Sequence, residues 1–517
     1  MKIDTIFTQK EALRLEIQAS LDAAKTQEER NRMGQFATPS PLASEILRYA
    51  KKLIPRGQKI HFLDPALGSG AFYSALLREF PASRILGGVG YEIDPHYGNT
   101  AARLWSDTGL DVRMGDFTKA DPLGAAFNLM ICNPPYVRHH HILNGDKARI
   151  QEASHKAGGI QFSGLAGLYC HFLGLSHTWL AEGGLAGWLI PSEFMDVNYG
   201  EAVKRYLLNM VRLVHIHRFD PHDVQFGDAL VSSAVVWFRK ETPPPEYEVE
   251  FSFGGTLSKP TISRQISSID LRAEVKWTRF PLSEIRIKDN GPKLSDFFSI
   301  RRGLATGDND FFILSAAEIK QRNLPLQFFR PILPSPRYLS ASEILSDDEG
   351  NPLLDDPLFL LDCRLPENVI KRDFPNLWSY FQEGKKRGVA DRYLCQHRSP
   401  WYSQENRPAA PFICTYLGRS NTKSGKPFRF ILNRSRATIT NVYLALYPKE
   451  PMAKTVETCP KTGRHVWEIL NKICPQTMLA EGRVYGGGLH KLEPKELANV
   501  PVPELAEIFG RKRLAAI

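Results

Sequence analysis

The stretch Asn133-Pro134-Pro135-Tyr136 combines hydrogen-bond acceptors with an aromatic ring, which together can bind a planar polar group. It follows the apolar run FNLMIC, which predicts a buried strand. Two prolines lack an N–H and have a fixed φ, so the corner presents carbonyl oxygens in one rigid arrangement. The Asn133 side-chain oxygen and the Pro134 carbonyl can each accept one hydrogen of an amino group, while Tyr136 stacks on the ring that bears it. The corner therefore predicts a site for a planar amide or an amino-substituted base.

Three earlier strand ends also carry ligand-type residues. In HFLDPALGSGAF, Gly68 and Gly70 form a turn between a strand and a helix, where the backbone can approach a ligand closely. Glu92 follows roughly twenty residues later, a position suited to ribose hydroxyls. Asp116 and Phe117 end the next strand and suit an exocyclic amine and an adenine face. Either acid can instead be a helix N-cap, but together they predict an adenosine-like ligand.

The elements that position these residues follow an alternating pattern. Between about 60 and 240, short apolar strands alternate with helical stretches, which predicts an α/β fold with a mainly parallel sheet and helices on both faces. Residues 1–33 are typical of amphipathic helices that precede this sheet. A proline triplet then opens a polar stretch, 243–290, which we interpret as a linker. The predicted domains are therefore 1–242 and a second, mixed α/β domain, 291–517.

The composition narrows the class of protein. A length of 517 residues predicts two or three domains, and 43% hydrophobic with 24% charged residues is ordinary for a globular protein. The net charge of +10 favours a polyanionic partner such as nucleic acid. The seven cysteines form no CxxC pair, and no apolar stretch approaches the roughly 20 residues of a membrane span. We therefore expect a cytoplasmic protein without a membrane role.

The motifs together resemble the γ-type N6-adenine DNA methyltransferases, the group of the TaqI and Eco57I modification enzymes. The resemblance covers nearly the full length and is sharpest in GQFATP, FLDPALGSGAF, GYEID, GDF and NPPY, which stand in the γ order. It implies a Rossmann-like class I methyltransferase sheet and a DNA-recognition domain. It also implies direct transfer of a methyl group from S-adenosyl-L-methionine to adenine N6, after the base has been flipped out of the duplex.

The resemblance carries roles to individual residues. It implies that the cofactor is bound by Thr38, Pro39, Asp64, Ala66, Gly68, Gly70, Glu92, Asp116, Phe117 and Asn133. It implies a catalytic set of Asn133, Pro134, Pro135, Tyr136 and, beneath the flipped adenine, Phe226. Where relatives commonly have an acid before LY, this chain has Gly167, so no acidic residue is assigned that role.

Double-stranded DNA is the expected partner of the basic and aromatic residues. Basic residues interleaved with aromatics suit phosphate contact and groove insertion, although a solvated charged face has the same composition. The residues predicted to contact DNA are Arg138, Arg398, Trp401, Tyr402 and Arg419. No metal is predicted at His139–His141 or at Cys395 with His397, because transfer from a sulfonium needs none and the spacings match no closed zinc site.

Other functions share parts of this pattern. A protein glutamine amide is also a planar substrate of such corners, and RNA adenine presents the same base. A non-catalytic DNA-binding module is the alternative outside enzymes. The second domain favours DNA over protein, and the intact corner favours catalysis. Only 33 residues precede GQFATP, so we expect methylation without cleavage, with a separate restriction endonuclease as a candidate partner. The expected location is the prokaryotic cytosol, in association with the nucleoid.

Overall fold

The computed structural model describes residues 2–122, 124, 126–142, 144–221, 223, 225, 232–281, 291–419, 426–485 and 488–509. The chain divides into two compact units. The first comprises Met1–Arg286 and Tyr485–Gly487, and the second comprises Ile287–Val484 and Gly488–Ile517. No helix in these described ranges is both long and apolar enough to cross a bilayer.

The first unit is an α/β sheet domain. Its strands are β1 (Ile60–Asp64), β2 (Ile85–Glu92), β3 (Leu110–Met114), β4 (Phe127–Cys132), β5 (Leu180–Pro191), β6 (Arg212–Arg218), β7 (Ser233–Arg239), β8 (Glu248–Gly255) and β9 (Pro260–Ser267). Its α-helices are α1 (Lys2–Ala23), α2 (Gln27–Met33), α3 (Ser40–Leu53), α4 (Ala71–Glu79), α5 (Pro95–Trp105), α6 (Asn144–Gly158), α7 (Leu168–Leu175), α8 (Gly200–Arg205) and α9 (Ser268–Ala273).

The nine strands form one sheet in the order β3-β2-β1-β4-β5-β7-β6-β8-β9. The first five strands in this order, β3, β2, β1, β4 and β5, are parallel to one another. Strand β7 is antiparallel to both of its neighbours, and β8 runs parallel to β6. The carboxyl ends of β1 to β6 therefore lie at one edge of the sheet. The predicted Rossmann-like α/β class is confirmed, with an antiparallel strand inserted between β5 and β6.

Helices cover both faces of this sheet, which is why its central strands are mostly apolar. Successive side chains of a strand point to opposite faces. Accordingly Phe62 and Leu129 pack into one buried cluster, whereas Leu63 and Met130 pack into another. The strand that precedes the Asn133 corner is thus held from both sides.

The stretch 243–290 differs from the predicted linker because it contains β8 and β9. Strand β8 pairs with β6 through His215 and Glu250, and its residues Val249 and Phe251 are buried. The sequence EVEFSF alternates polar and apolar residues, as expected for an outer strand with one buried face. The first unit consequently extends to Arg286 rather than ending at residue 242.

The second unit is mixed α/β, as predicted. The strands that follow residue 290 are β10 (Phe298–Arg302), β11 (Ile313–Ser315), β12 (Phe329–Ile332), β13 (Glu343–Ile344), β14 (Leu358–Leu361), β15 (Phe412–Thr415), β16 (Leu417–Arg419), β17 (Phe430–Asn433), β18 (Tyr443–Pro448), β19 (Arg483–Tyr485) and β20 (Leu489–Lys491). They form sheets in the orders β10-β18-β15-β17-β13, β11-β14-β12 and β16-β20-β19. Its α-helices are α10 (Leu294–Phe297), α11 (Asn309–Phe312), α12 (Ala316–Gln321), α13 (Glu367–Asp373), α14 (Pro375–Lys386), α15 (Tyr393–Gln396), α16 (Met452–Thr458), α17 (Pro460–Lys472), α18 (Pro475–Glu481), α19 (Pro494–Ala498) and α20 (Pro503–Phe509).

Candidate active site

A cavity of about 490 Å³ opens where β1, β2, β3 and β4 end. Its volume is within the range of small-molecule and cofactor sites. The predicted cofactor residues that line it are Thr38, Ala66, Gly68, Glu92, Asp116, Phe117 and Asn133. The structure thus brings together side chains from four strand ends and from the GQFATP segment. Pro39, Asp64 and Gly70 do not line it.

The Asn133 side chain has its orientation fixed by the GQFATP segment. Its Nδ2 donates to the Phe36 carbonyl oxygen at 3.0 Å and to Thr38 Oγ1 at 3.1 Å. A carbonyl oxygen can only accept, so the NH₂ group must face Phe36 and the amide oxygen must point away. That Oδ1 atom is buried and has no hydrogen-bond partner among the described residues. The cavity is therefore lined by a residue with an unsatisfied acceptor.

The rest of the corner is supported by close backbone packing. Gly34 has a φ of +66°, and a Cβ there would lie 2.4 Å from the Tyr136 nitrogen. The Tyr136 N–H donates to the Gly34 carbonyl at 3.3 Å, and its hydroxyl donates to the Leu189 carbonyl at 3.1 Å. Burial raises the pKa of the Tyr136 hydroxyl, which stays neutral. Both ends of Tyr136 are thus fixed.

The two predicted glycines of the turn have different roles. Gly68 has a φ of +57° with no atom within 4 Å of a hypothetical Cβ, so a ligand can approach it. Gly70 has a φ of +87°, and a Cβ there would lie 2.4 Å from Trp105 Nε1. That indole N–H donates to the Ser69 carbonyl at 3.0 Å. Gly70 is therefore required by packing against Trp105, and it does not itself line the cavity, so its place beside the cofactor stays a prediction.

Glu92 and Asp116 line the cavity and also hold local backbone. Glu92 accepts from the Gly68 N–H at 2.9 Å and from the Asp94 N–H at 2.8 Å, and burial raises its pKa. Asp116 caps the following turn by accepting from the Thr118 N–H at 2.9 Å. The capping alternative is thus realised at Asp116. A carboxylate has about four lone-pair sites, so both acids keep capacity for a ligand.

Asp64 lies beneath the turn and is only 1% exposed. Its Oδ1 accepts from the Ala66 N–H at 3.1 Å. Burial, with a smaller contribution from the Glu92 charge, raises the pKa of Asp64 to about 8. A protonated Asp64 supports the turn from inside the sheet. Pro39, another predicted cofactor residue, is the N-cap of α3. Neither residue lines the cavity, and their direct contact with the cofactor stays a prediction.

Helix α1 contributes to the site in a way that the sequence did not reveal. Gln18 and Asp22 line the cavity, and Asp22 accepts from the Tyr97 hydroxyl at 2.8 Å. His141, four residues beyond the corner's Val137, lines it too. No periodicity connects Asp22 with Tyr97, because the contact joins positions 75 residues apart.

A buried ion pair of α1 connects this helix to the glycine turn after β1 and to the start of α3. The Arg14 guanidinium donates to Glu11 at 2.8 Å, to Ser69 Oγ at 2.9 Å and to Ser40 Oγ at 2.8 Å. Glu11 also accepts from Ser74 Oγ at 2.5 Å. Although burial opposes ionisation, hydrogen bonds from Arg14, Ser40 and Ser74 lower the pKa of Glu11 to about 2. The pair therefore positions the glycine turn and the start of α3 together.

In the second unit, Tyr402 was wrongly predicted to contact DNA. Its side chain is fully buried, with its ring stacked on Phe381 at 4.1 Å between centroids. Its hydroxyl donates to the Leu365 carbonyl at 2.5 Å. Trp401 packs in the same core, 5.8 Å from Phe381 and 5.8 Å from Phe311. Aromatic residues next to arginines signalled DNA contact in the sequence, but here they fill the core.

The predicted basic contacts differ in their exposure to solvent. Arg398 donates to the carbonyl oxygens of Ala305 and Thr306, both at 2.6 Å, and so holds that loop. Arg419 ends β16 and Arg138 precedes the histidine turn, and both are exposed. Phe226 lies outside the described residues. Within the described ranges, no cluster of three His, Cys, Asp or Glu side chains is placed to hold a metal ion.

Comparison with known proteins extends the resemblance. A family described as Eco57I restriction-modification methylase matches residues 108–225, and one described as the C-terminal domain of the type II methyltransferase M.Eco57I matches 276–517. The type II methyltransferase M.XamI of Xanthomonas campestris pv. amaranthicola is 31% identical, covering 93% of this chain and 86% of the relative. M.AccI of Acinetobacter calcoaceticus is 27% identical, covering 91% and 85%. The type IIL restriction-modification enzyme MmeI, solved in complex with DNA, has a similar fold, with a TM-score of 0.52, 14% identity, and coverage of 95% of this chain and 67% of that one.

The cavity fits the cofactor of such an enzyme. It combines backbone near Gly68, carboxylates of Glu92 and Asp116, and the ring of Phe117, which suit the amino, hydroxyl and adenine groups of a nucleoside. The unsatisfied Asn133 oxygen stands beside it. The cofactor is S-adenosyl-L-methionine, and the chain belongs to the type II methyltransferases of the Eco57I restriction-modification family.

Proposed function

We propose that this protein methylates adenine at N6 within a specific site of double-stranded DNA. The observation that carries the proposal is the buried Asn133 Oδ1, an acceptor without a partner among the described residues, at the corner that ends β4. An adenine amine offers two hydrogens, one for this oxygen and one for the Pro134 carbonyl. The family match adds weight to adenine as the target base.

The proposed mechanism assigns each part of the corner a task. S-adenosylmethionine supplies an electrophilic methyl group on a sulfonium centre. Asn133 and the Pro134 carbonyl accept the amine hydrogens, which draws the nitrogen lone pair out of conjugation with the ring. Tyr136, with its hydroxyl fixed to Leu189, stacks on one face of the base, and we assign the opposite face to Phe226.

A base within a duplex must first leave the stack, at a cost of roughly a few kcal/mol. We propose that the second unit recognises the DNA site and that exposed Arg138 and Arg419 contact its backbone. Basic residues offset the cost of base flipping through contacts to phosphates. The DNA complex of the similarly folded MmeI supports a DNA substrate. A separate restriction endonuclease as partner, and a nucleoid-associated place in the cytosol, are further parts of this proposal.

The decisive experiment supplies tritiated S-adenosylmethionine and mixed genomic DNA to the purified protein and identifies the labelled nucleoside. We expect N6-methyladenine. A labelled cytosine, or label in added RNA or protein with none in DNA, would overturn the proposed substrate while leaving the corner's chemistry intact. Absence of any transfer together with retained DNA binding would instead support the non-catalytic alternative. Asn133→Ala, which removes the proposed acceptor, serves as the inactive control.

A further inference from the structure

Asp22, in the last turn of α1, is held by hydrogen bonds that leave part of its carboxylate available. Its Oδ1 accepts from the Tyr97 hydroxyl and from Gln18 Nε2, both at 2.8 Å. Burial, together with the hydrogen bond to Asp22, raises the pKa of Tyr97, so its hydroxyl keeps the proton that it donates. No residue within the described ranges donates to the Oδ2 atom of Asp22. Because Asp22 lines the cavity, this oxygen can accept a hydrogen bond from a ligand.

The same end of α1 is connected to the segment that follows β2. Lys25, just beyond the helix, forms an ion pair with Asp94, which also accepts from Gln35 Nε2 at 2.8 Å. The Asp94 N–H in turn donates to Glu92 Oε1 at 2.8 Å. These contacts hold the last turn of α1 beside the strand end that carries Glu92. Asp22 and Glu92 thus line one cavity from two different elements.

A ribose is the part of S-adenosyl-L-methionine that suits two neighbouring carboxylates. Its adjacent hydroxyls are both hydrogen-bond donors, and a hydroxyl bonds more strongly to a carboxylate than to a neutral acceptor. Glu92 keeps acceptor capacity after its bonds to the N–H groups of Gly68 and Asp94. The ammonium group of the cofactor would also attract a carboxylate, and a binding experiment distinguishes the two groups.

We propose that Asp22 accepts a hydrogen bond from one ribose hydroxyl of S-adenosyl-L-methionine, so that α1 supplies a second carboxylate to the ribose site predicted at Glu92. Tyr97 is a positioning residue, because it holds the carboxylate before the cofactor binds and so limits the freedom lost on binding. The contact concerns the cofactor alone. It is therefore independent of which macromolecule accepts the methyl group, and it can be tested without DNA.

The first test measures the binding of S-adenosylhomocysteine by calorimetry. Asp22→Asn keeps an oxygen for Tyr97 and Gln18 but places an NH₂ group where Oδ2 stands. Glu16→Gln removes one negative charge from the same helix at an exposed position that does not line the cavity, so it is the matched control. We expect Asp22→Asn to bind about 10-fold or more weakly, as for the loss of a hydrogen bond to a charged group, and the control to match the wild type. Unchanged affinity of Asp22→Asn would overturn the ribose contact.

The second test repeats the titrations with the 2′-deoxy and 3′-deoxy analogues of S-adenosylhomocysteine. If Asp22 binds a ribose hydroxyl, removing that hydroxyl and substituting Asp22 delete the same hydrogen bond, so their effects do not add. We expect Asp22→Asn and the wild type to bind one of the two analogues equally. Each protein is compared across ligands, so a general loss of stability in the variant cannot produce this pattern. The same loss in Asp22→Asn for all three ligands would overturn the proposal.

A third ligand separates the ribose from the amino-acid end of the cofactor. The probe 5′-methylthioadenosine keeps both ribose hydroxyls but has no ammonium group. We expect Asp22→Asn to lose as much affinity for it as for S-adenosylhomocysteine. A loss with S-adenosylhomocysteine alone would place Asp22 at the ammonium group and overturn the ribose contact.

Tyr97→Phe tests the positioning role, because it removes one of the two donors that hold Asp22. We expect a smaller loss of affinity than in Asp22→Asn, and we expect this loss to disappear with the same deoxy analogue. An equal loss for every ligand would overturn the positioning role of Tyr97.

Discussion

The Nδ2 atom of Asn133 lies 3.0 Å from the carbonyl oxygen of Phe36, and this contact decides which way the Asn133 amide faces. With its N–H groups committed to Phe36 and Thr38, the amide presents its oxygen as the open acceptor. The GQFATP segment therefore determines the chemistry of a corner that lies almost a hundred positions later in the chain.

Asn133→Asp should strongly reduce methyl transfer although it preserves the size of the side chain. A carboxylate has no hydrogen to donate to Phe36, so two oxygens would face each other at the observed 3.0 Å. We expect transfer to fall by about 100-fold or more, as when a directed hydrogen bond is removed from an active site. Gel-shift assays should show DNA binding retained, as also for Asn133→Ala. Full activity of either variant would contradict the assigned role.

Gly34→Ala should impair the corner beyond the cost of its backbone conformation. A Cβ at this position would lie 2.4 Å from the Tyr136 nitrogen. Gly57 also has a positive φ, +84°, but open space around it, so Gly57→Ala reports the conformational strain alone. We expect Gly57→Ala to lose about 1–2 kcal/mol of stability and retain activity. Gly34→Ala should lose methylation in addition, measured at a temperature where both proteins remain folded.

Glu11→Gln should reveal a pH-dependent part of the stability. The folded-state pKa of Glu11 is lowered from 4.5 to about 2, so the charged form stabilises the fold. Its contribution is fully present above about pH 4.5 and is lost as the pH falls towards 2. The gap in urea midpoint between wild type and Glu11→Gln should therefore be constant from pH 7 to 5 and narrow below. A gap that is independent of pH would argue against the ion pair with Arg14.

Tyr402→Phe should destabilise the second unit without altering DNA affinity. The change removes the buried hydrogen bond to the Leu365 carbonyl, which is worth about 1 kcal/mol. Tyr393, 73% exposed, provides the control, because Tyr393→Phe removes a hydroxyl at the surface. Denaturant unfolding measures the stability of both variants, and gel-shift assays measure their affinity for DNA. A loss of DNA affinity in Tyr402→Phe, without a loss of stability, would restore the original prediction.

The class of fold and the place of the site follow from local sequence patterns. Apolar strands that alternate with helices lead to a parallel sheet, and such a sheet brings its strand ends to one edge. That rule predicts that Glu92, Asp116 and Asn133 lie together, and all three line one cavity. The rigidity of two consecutive prolines also follows from local chemistry alone.

The role of each residue, in contrast, depends on contacts between segments that are distant in the chain. The roles of Gly70 and Tyr402 depend on Trp105 and Phe381, which are distant in the chain, and so no local pattern separates a packing residue from a ligand contact. The same holds for α1, whose Asp22 lines the cavity and accepts a hydrogen bond from Tyr97. Local sequence encodes strand ends and turns, whereas burial and hydrogen-bond partners arise from packing between distant segments.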